Sequence, residues 1–128
     1  TAFQFFGDCK ERVVLCEPLD YPKFLHAQRA AKIVVSDSGG VQEEAASLGT
    51  RVAIVREKTE RPDAVDLGLT RIVGADAAGL VDAVHDFMAT SVDPESVAKW
   101  RKLQGDGNAG AAAAVALRKQ IENDQALR

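Results

Sequence analysis

The sequence predicts an α/β fold built on a parallel sheet, and three observations carry that expectation. Short apolar runs of strand type alternate with longer segments of helical period. One of these runs, Ile33-Val34-Val35, is β-branched throughout, as suits a central strand buried on both faces. The runs give way to small or polar residues that open the next helix, as in Ser36-Asp37-Ser38-Gly39-Gly40.

Taken in order, Arg12-Val13-Val14-Leu15-Cys16 reads as a first strand, stopped by Glu17-Pro18. A short helix is expected over Tyr21 to Ala31, with apolar Phe24, Leu25 and Ala27 set against polar Lys23, Gln28 and Arg29. After the strand Ile33–Val35, a helix runs from Gly39 to Leu48. Val41, Ala45 and Leu48 are its expected core face, while Gln42, Glu43 and Glu44 fit a solvated one. Gly49 is placed to end it in the left-handed region. Val52–Val55 is the next strand, followed by a polar loop from Arg56 to Arg61. Pro62 suits the first position of a helix to Gly68, because the missing N–H would be unpaired there. A fourth strand is expected over Thr70–Val73. Helices follow over Ala77–Met88, with Leu80, Val84 and Phe87 as the apolar stripe, and over Val92–Leu103. Gly105-Asp106-Gly107-Asn108 breaks the pattern. An alanine-rich helix then runs from Ala109 towards Asn123, with Ala114, Leu117 and Ile121 along one side.

The 128 residues suit one domain, and 46% apolar content is enough for a core. A net charge of −3 with no Lys/Arg run argues against an extended nucleic-acid surface. Five Phe, one Tyr and one Trp are too few for a base-stacking platform. Cys9 and Cys16 lack the spacing of a zinc site and read as reduced thiols, so no metal and no cofactor is expected. No signal peptide or membrane run is visible, which gives a cytoplasmic expectation. The chain starts at Thr1, almost directly in structured-looking sequence, as a processed or truncated piece would.

In open α/β sheets, ligands bind at the carboxyl ends of the strands. That rule brings Asp37–Gly40 and Arg56–Arg61 to one edge. Ser38 offers a hydroxyl to a phosphate oxygen, and Gly39 and Gly40 let backbone N–H groups come close to it. Glu44, one turn on, has two oxygens for a ribose diol. Arg56, Lys58 and Arg61 supply positive charge at the same edge. Alone, the Asp-Ser-Gly-Gly block fits a capped strand-to-helix turn with no ligand better than it fits a site, since so short a motif recurs by chance. The Arg56–Arg61 loop also fits a salt-laced surface, with Glu57, Glu60 and Asp63 neutralising its bases.

Two longer blocks carry a resemblance. Asp37-Ser38-Gly39-Gly40-Val41-Gln42-Glu43-Glu44 and Arg56-Glu57-Lys58-Thr59-Glu60-Arg61-Pro62-Asp63-Ala64-Val65 resemble the signature of the non-hydrolysing UDP-N-acetylglucosamine 2-epimerases. Glu17-Pro18-Leu19-Asp20-Tyr21 with Phe24 is similar to the segment before that signature, and Gly105-Asp106-Gly107-Asn108-Ala109 to its late Gly-Asp-Gly motif. The resemblance implies a Rossmann-like three-layer parallel sheet, the C-terminal half of a GT-B architecture. It implies that Ser38, Gly39 and Gly40 contact the diphosphate of UDP, that Glu44 holds the ribose, that Phe24 lines the uracil pocket and that Arg61 reaches the phosphates or sugar. The reaction implied is inversion at C2 of UDP-N-acetylglucosamine, by elimination and re-addition of UDP, in the service of cell-surface polysaccharide synthesis.

The resemblance implies no catalytic acid or base in this chain: the family's carboxylates belong to an N-terminal domain, and its His-Arg-Arg-Glu-Asn segment does not occur in this sequence. His26 and His85 fall within helices, away from the ligand edge. Leu103-Gln104 stands where the family has Asn-Pro-Tyr. The expected partners are a UDP-sugar and the N-terminal domain, and a half that lacks its partner is expected to self-associate, as a homo-oligomer. Two other readings stay open: a stand-alone nucleotide-binding or regulatory module, and the donor domain of a GT-B glycosyltransferase, which Thr59-Glu60-Arg61-Pro62 argues against.

Overall fold

Side-chain caps set where most of the helices begin. In the computed structural model, which describes residues 12–126, Asp20 accepts from the Lys23 amide at 3.0 Å and starts α1 (Tyr21–Ala30). Ser38 accepts from the Val41 amide at 3.4 Å and starts α2 (Gly39–Leu48), which follows β1 (Ile33–Ser36). Gly49, with φ of 83°, ends α2 in the left-handed region that side chains with a Cβ rarely adopt. β2 (Arg51–Ile54), the five-residue α3 (Pro62–Asp66) and β3 (Thr70–Ile72) follow. Asp76 caps α4 (Ala77–Ala89), Asp93 caps α5 (Pro94–Leu103), and α6 (Ala109–Ala126) closes the described chain.

The three strands form one parallel sheet in the order β1-β2-β3, with Val35 opposite Ala53 and Ala53 opposite Arg71. Strand alternation then sorts the layers. Val34, Val52 and Ile54 pack with Ala45 of α2 on one face. Arg51 and Ala53 face the other way, where Arg51 reaches the end of α4. The result is helix on sheet on helix, the Rossmann-like three-layer arrangement. A second core cluster, Ala46, Ala64, Leu69, Val97 and Trp100, joins α2, α3 and α5. Trp100 is fully buried and donates its indole N–H to Ser47 Oγ at 3.1 Å. Arg101 adds a 2.7 Å bond to the Ser47 carbonyl, so α5 holds α2 from behind.

Arg51 terminates α4. Its guanidinium donates to the carbonyls of Phe87 (3.2 Å), Thr90 (3.0 Å) and Ser91 (2.7 Å), where the helix leaves its last C=O groups unpaired. It also lies 5.1 Å from the Phe87 ring centre, with Arg71 at 5.4 Å. Arg51→Ala is expected to lower stability by about 2–3 kcal/mol, the scale of charge-assisted hydrogen bonds lost from a partly buried site. Urea unfolding of the two proteins measures the difference.

The structure corrects four expectations. Arg12–Cys16 forms no strand: Arg12 lies in a turn, residues 13–20 have no regular structure, and Val14 is 89% exposed. Strand propensity needs a partner ladder and a buried face, and among the described residues β1 pairs with β2 alone. The helix expected over Pro62–Gly68 stops at Asp66, with the amides of Gly68 and Leu69 bonded back to Val65 and Ala64. On α2 the buried residues are Gln42, Ala45 and Ala46, so the inward face is turned from the expected Val41–Ala45–Leu48 stripe towards α5 and the loop after β2. Finally, α6 forms as its alanines dictate, but Ala114, Leu117 and Ile121 are exposed and meet no core. Cys9 lies outside the described residues, and Cys16 is an exposed free thiol.

Candidate functional site

The carboxyl ends of the strands gather the segments after β1 and β2 at one edge. Backbone bonds from Val55 N to the Ser36 carbonyl (3.0 Å) and from Val73 N to the Ile54 carbonyl (2.9 Å) hold these strand exits side by side. Residues 37–40 open α2 at the first exit, and Arg56–Arg61 follow the second.

At the α2 start, the donors divide cleanly. Ser38 N is bonded to Ser36 Oγ, Val41 N to Ser38 Oγ, and Gln42 N to the Ser38 carbonyl. Gly39 and Gly40 are left with N–H groups that take no partner among the described residues. The Ser38 hydroxyl accepts in its cap, so its own proton is free to donate. Neither glycine is needed by the fold. Their φ values are not positive, and an added Cβ would meet protein only at 3.9 Å, from Glu60 at Gly39 and from Ser38 at Gly40. What the missing side chains leave open is the approach from outside.

The Arg56–Arg61 loop is braced against α2 by Gln42, only 1% exposed. Thr59 donates its hydroxyl to Gln42 Oε1 at 2.7 Å, Gln42 Nε2 donates to the Arg61 carbonyl at 3.5 Å, and Thr59 Oγ1 accepts from Arg61 N at 3.0 Å. Arg61 itself pairs with Glu43 through Nε and leaves further guanidinium N–H groups towards solvent. Arg56 forks onto Glu60 at 3.1 and 3.2 Å. Glu60 is held below the usual carboxylate range, first by its own backbone N–H and then by Arg56. The folded value being depressed, this pair is intact above the ordinary carboxylate pKa and is lost as pH falls through the lowered one. Local acids therefore neutralise Arg56 and Arg61 as expected of a salt-laced loop, and an anion must compete for them.

Glu44 faces α1. Tyr21 donates its hydroxyl to Oε1 at 3.1 Å, and Gln28 donates Nε2 to Oε2 at 2.9 Å. The hydrogen bond to Glu44 raises the Tyr21 pKa above that of free tyrosine. Phe24 is half-buried and lies one helical turn from both Tyr21 and Gln28, on the same side of α1. The structure thus gathers Ser38, Gly39, Gly40, Glu44 and Arg61 on or beside the start of α2, with Phe24 on the helix that Glu44 grips.

Gln42, Tyr21 and Gln28 escaped the sequence reading, because nothing in their local pattern names partners 16 to 23 positions away. His26 and His85 are exposed, outside this edge. Among the described residues, no group of His, Cys, Asp and Glu is placed to hold a metal, and no helix is long and apolar enough to cross a membrane. A 350 Å³ concavity lies against the Arg56–Arg61 loop, lined by Lys58, Thr59 and Pro62, and two more lie elsewhere: a 560 Å³ groove between α3 and α5 lined by Leu67 and Leu103, and a 440 Å³ one at the opposite sheet edge lined by Lys32, Arg51 and Thr90.

Fold and site together define an α/β domain with an anion-ready helix start at the carboxyl edge of a parallel sheet. The sequence profile of the UDP-N-acetylglucosamine 2-epimerase family matches residues 1–118, and the chain belongs to that family. The UDP-N-acetylglucosamine 2-epimerase of Salmonella typhimurium is 39% identical over 97 residues, covering 76% of this chain and 26% of the relative. Among solved structures, the UDP-GlcNAc 2-epimerase of Methanocaldococcus jannaschii superposes with a TM-score of 0.67 at 29% identity, over 92% of this chain and 32% of that one. The Neisseria meningitidis enzyme, solved bound to UDP-GlcNAc, gives 0.60 at 35% identity, over 82% and 29%. The chain spans about a quarter of the length of the curated relatives it matches.

Proposed function

We propose that this chain is the UDP-binding, C-terminal portion of a cytoplasmic UDP-N-acetylglucosamine 2-epimerase, and that residues 1–128 form a single domain. One observation carries the proposal: the unpaired N–H groups of Gly39 and Gly40 open α2 at the ligand edge, in glycines that the fold does not require. A relative of the same family is solved with UDP-GlcNAc bound. In this reading Gly39 and Gly40 N–H and the Ser38 hydroxyl hold the diphosphate, Arg61 exchanges Glu43 for a phosphate oxygen, Glu44 accepts from the ribose diol and Phe24 borders the uracil.

The parent reaction removes the C2 proton of the sugar and breaks its bond to UDP, then restores both with C2 inverted. The task of this chain is electrostatic. Donors fixed beforehand at the helix start stabilise the negative charge that gathers on UDP as it departs. No residue of this chain is assigned as acid or base, so the chain alone is proposed to bind without turnover.

Calorimetric titration with UDP and with uridine tests the assignment. UDP is expected to bind more tightly than uridine. Arg61→Ala is expected to weaken UDP by about tenfold, ~1.4 kcal/mol, and to leave uridine unchanged. Equal affinities for UDP and uridine, or an Arg61→Ala effect shared by both, would contradict it.

A further inference from the structure

We propose that Gln28 and Tyr21 are positioning residues for Glu44, and that their clamp makes the nucleotide site selective for a ribose over a 2′-deoxyribose. The inference rests on the UDP reading above and goes beyond it, because neither residue is assigned there.

Gln28 is 3% exposed, its carbonyl accepts from the buried Thr50 hydroxyl at 3.0 Å, and its side chain therefore starts from a fixed point. Nε2 reaches Glu44 Oε2 at 2.9 Å, while the amide oxygen is buried with no hydrogen-bond partner. Turning the amide over would set Oε1 against a carboxylate oxygen, so the carboxylate dictates which end faces it. Tyr21 supplies the matching donor to Glu44 Oε1 at 3.1 Å. Each carboxylate oxygen thus receives one donor from α1. A carboxylate has about four acceptor positions, so one remains on each oxygen. Two acceptors at carboxylate spacing on a rotamer held from both sides match a vicinal diol. A ligand that lacks one hydroxyl leaves one of them unpaired, which is how a polar site rejects an analogue.

The unpartnered Gln28 oxygen marks the device as costly to the fold. An apolar residue of similar size would satisfy packing without burying that atom. Position and stability therefore pull in opposite directions at residue 28, and this separates a positioning role from a structural one.

The test is titration of the 128-residue chain with UDP and 2′-deoxy-UDP, for the natural sequence, Gln28→Met and Tyr21→Phe, each with a thermal melt. The natural chain is expected to prefer UDP by about tenfold or more. Gln28→Met is expected to melt no lower than the natural chain and to reduce the preference to about threefold or less. Tyr21→Phe, at a 60% exposed position, is expected to keep the fold and shift the preference the same way. An unchanged preference in Gln28→Met overturns the inference and leaves the UDP reading standing, as does equal weakening of both nucleotides with a lowered melt. Should Gln28→Met fail to fold, an unchanged preference in Tyr21→Phe overturns it. A natural chain that binds neither nucleotide overturns the UDP reading, and this inference with it.

Discussion

Replacing Trp100 with alanine is expected to lower the stability of this protein by about 3–5 kcal/mol, the largest effect of any single substitution considered. The indole is fully buried in the cluster that joins α2, α3 and α5, beside Ala46, Ala64, Leu69 and Val97. These neighbours are mostly small, so little could collapse into the cavity left behind. The loss would also strip Ser47 Oγ of its indole donor and release α5 from the back of α2. Marginal stability of about 5–15 kcal/mol means that much of the total is at stake. Urea unfolding followed by far-UV circular dichroism measures it, and a midpoint close to that of the natural chain would contradict the packing described. Trp100→Phe, which keeps an aromatic ring but not the N–H, is expected to recover most of the loss.

The second large effect falls on the ligand. Glu44→Ala is expected to weaken UDP binding by roughly 30- to 150-fold, the equivalent of about 2–3 kcal/mol for charge-assisted bonds to a diol. It is also expected to lower stability by about 1–3 kcal/mol, because water can serve the exposed Tyr21 hydroxyl but the buried Gln28 amide loses the partner of its Nε2. Glu44→Gln is the sharper control. An amide keeps the shape, but it offers one oxygen where the proposed diol contact uses two and sets an NH2 against a donor of α1. Calorimetry showing UDP affinity unchanged in both variants would remove Glu44 from the site.

Much of this fold could be read directly from the chain. Ser38 and Gly49 bracket α2 because a cap and a left-handed glycine are local chemistry, and the helix has the bounds they predict. The edge that unites residues 37–40 with the Arg56–Arg61 loop followed from strand order alone, since every parallel strand exits on the same side. What resisted reading depended on partners. Val13, Val14 and Leu15 have strand propensity but join no ladder among the described residues, and they form no strand. Gln42 looked solvent-facing in a Gln-Glu-Glu run, yet it is buried because the Thr59 hydroxyl and the Arg61 carbonyl come to meet it. Leu117 and Ile121 lie on a helix with good intrinsic propensity and no packed surface beneath, so the stripe marks a face without showing what covers it.

The glycines, Ser38, Glu44 and Arg61 could be named as candidates because phosphate and diol chemistry limits the residue types that serve it. Their supports could not. Gln28 and Tyr21 act through distances set by the packing of α1 on α2, and Arg61 is met by Glu43 before any ligand arrives.

If UDP seats its diphosphate on the start of α2, as proposed, the backbone amides there must respond to it. The 13.7 kDa chain, labelled with 15N, would be titrated with UDP while its amide signals are followed by NMR. The expected result is saturable shifts that are largest at Ser38, Gly39 and Gly40, with smaller ones around Phe24, Glu44 and Arg61. Shifts centred instead on Lys32, Arg51 and Thr90 at the opposite sheet edge, or none up to millimolar UDP, would contradict the proposal.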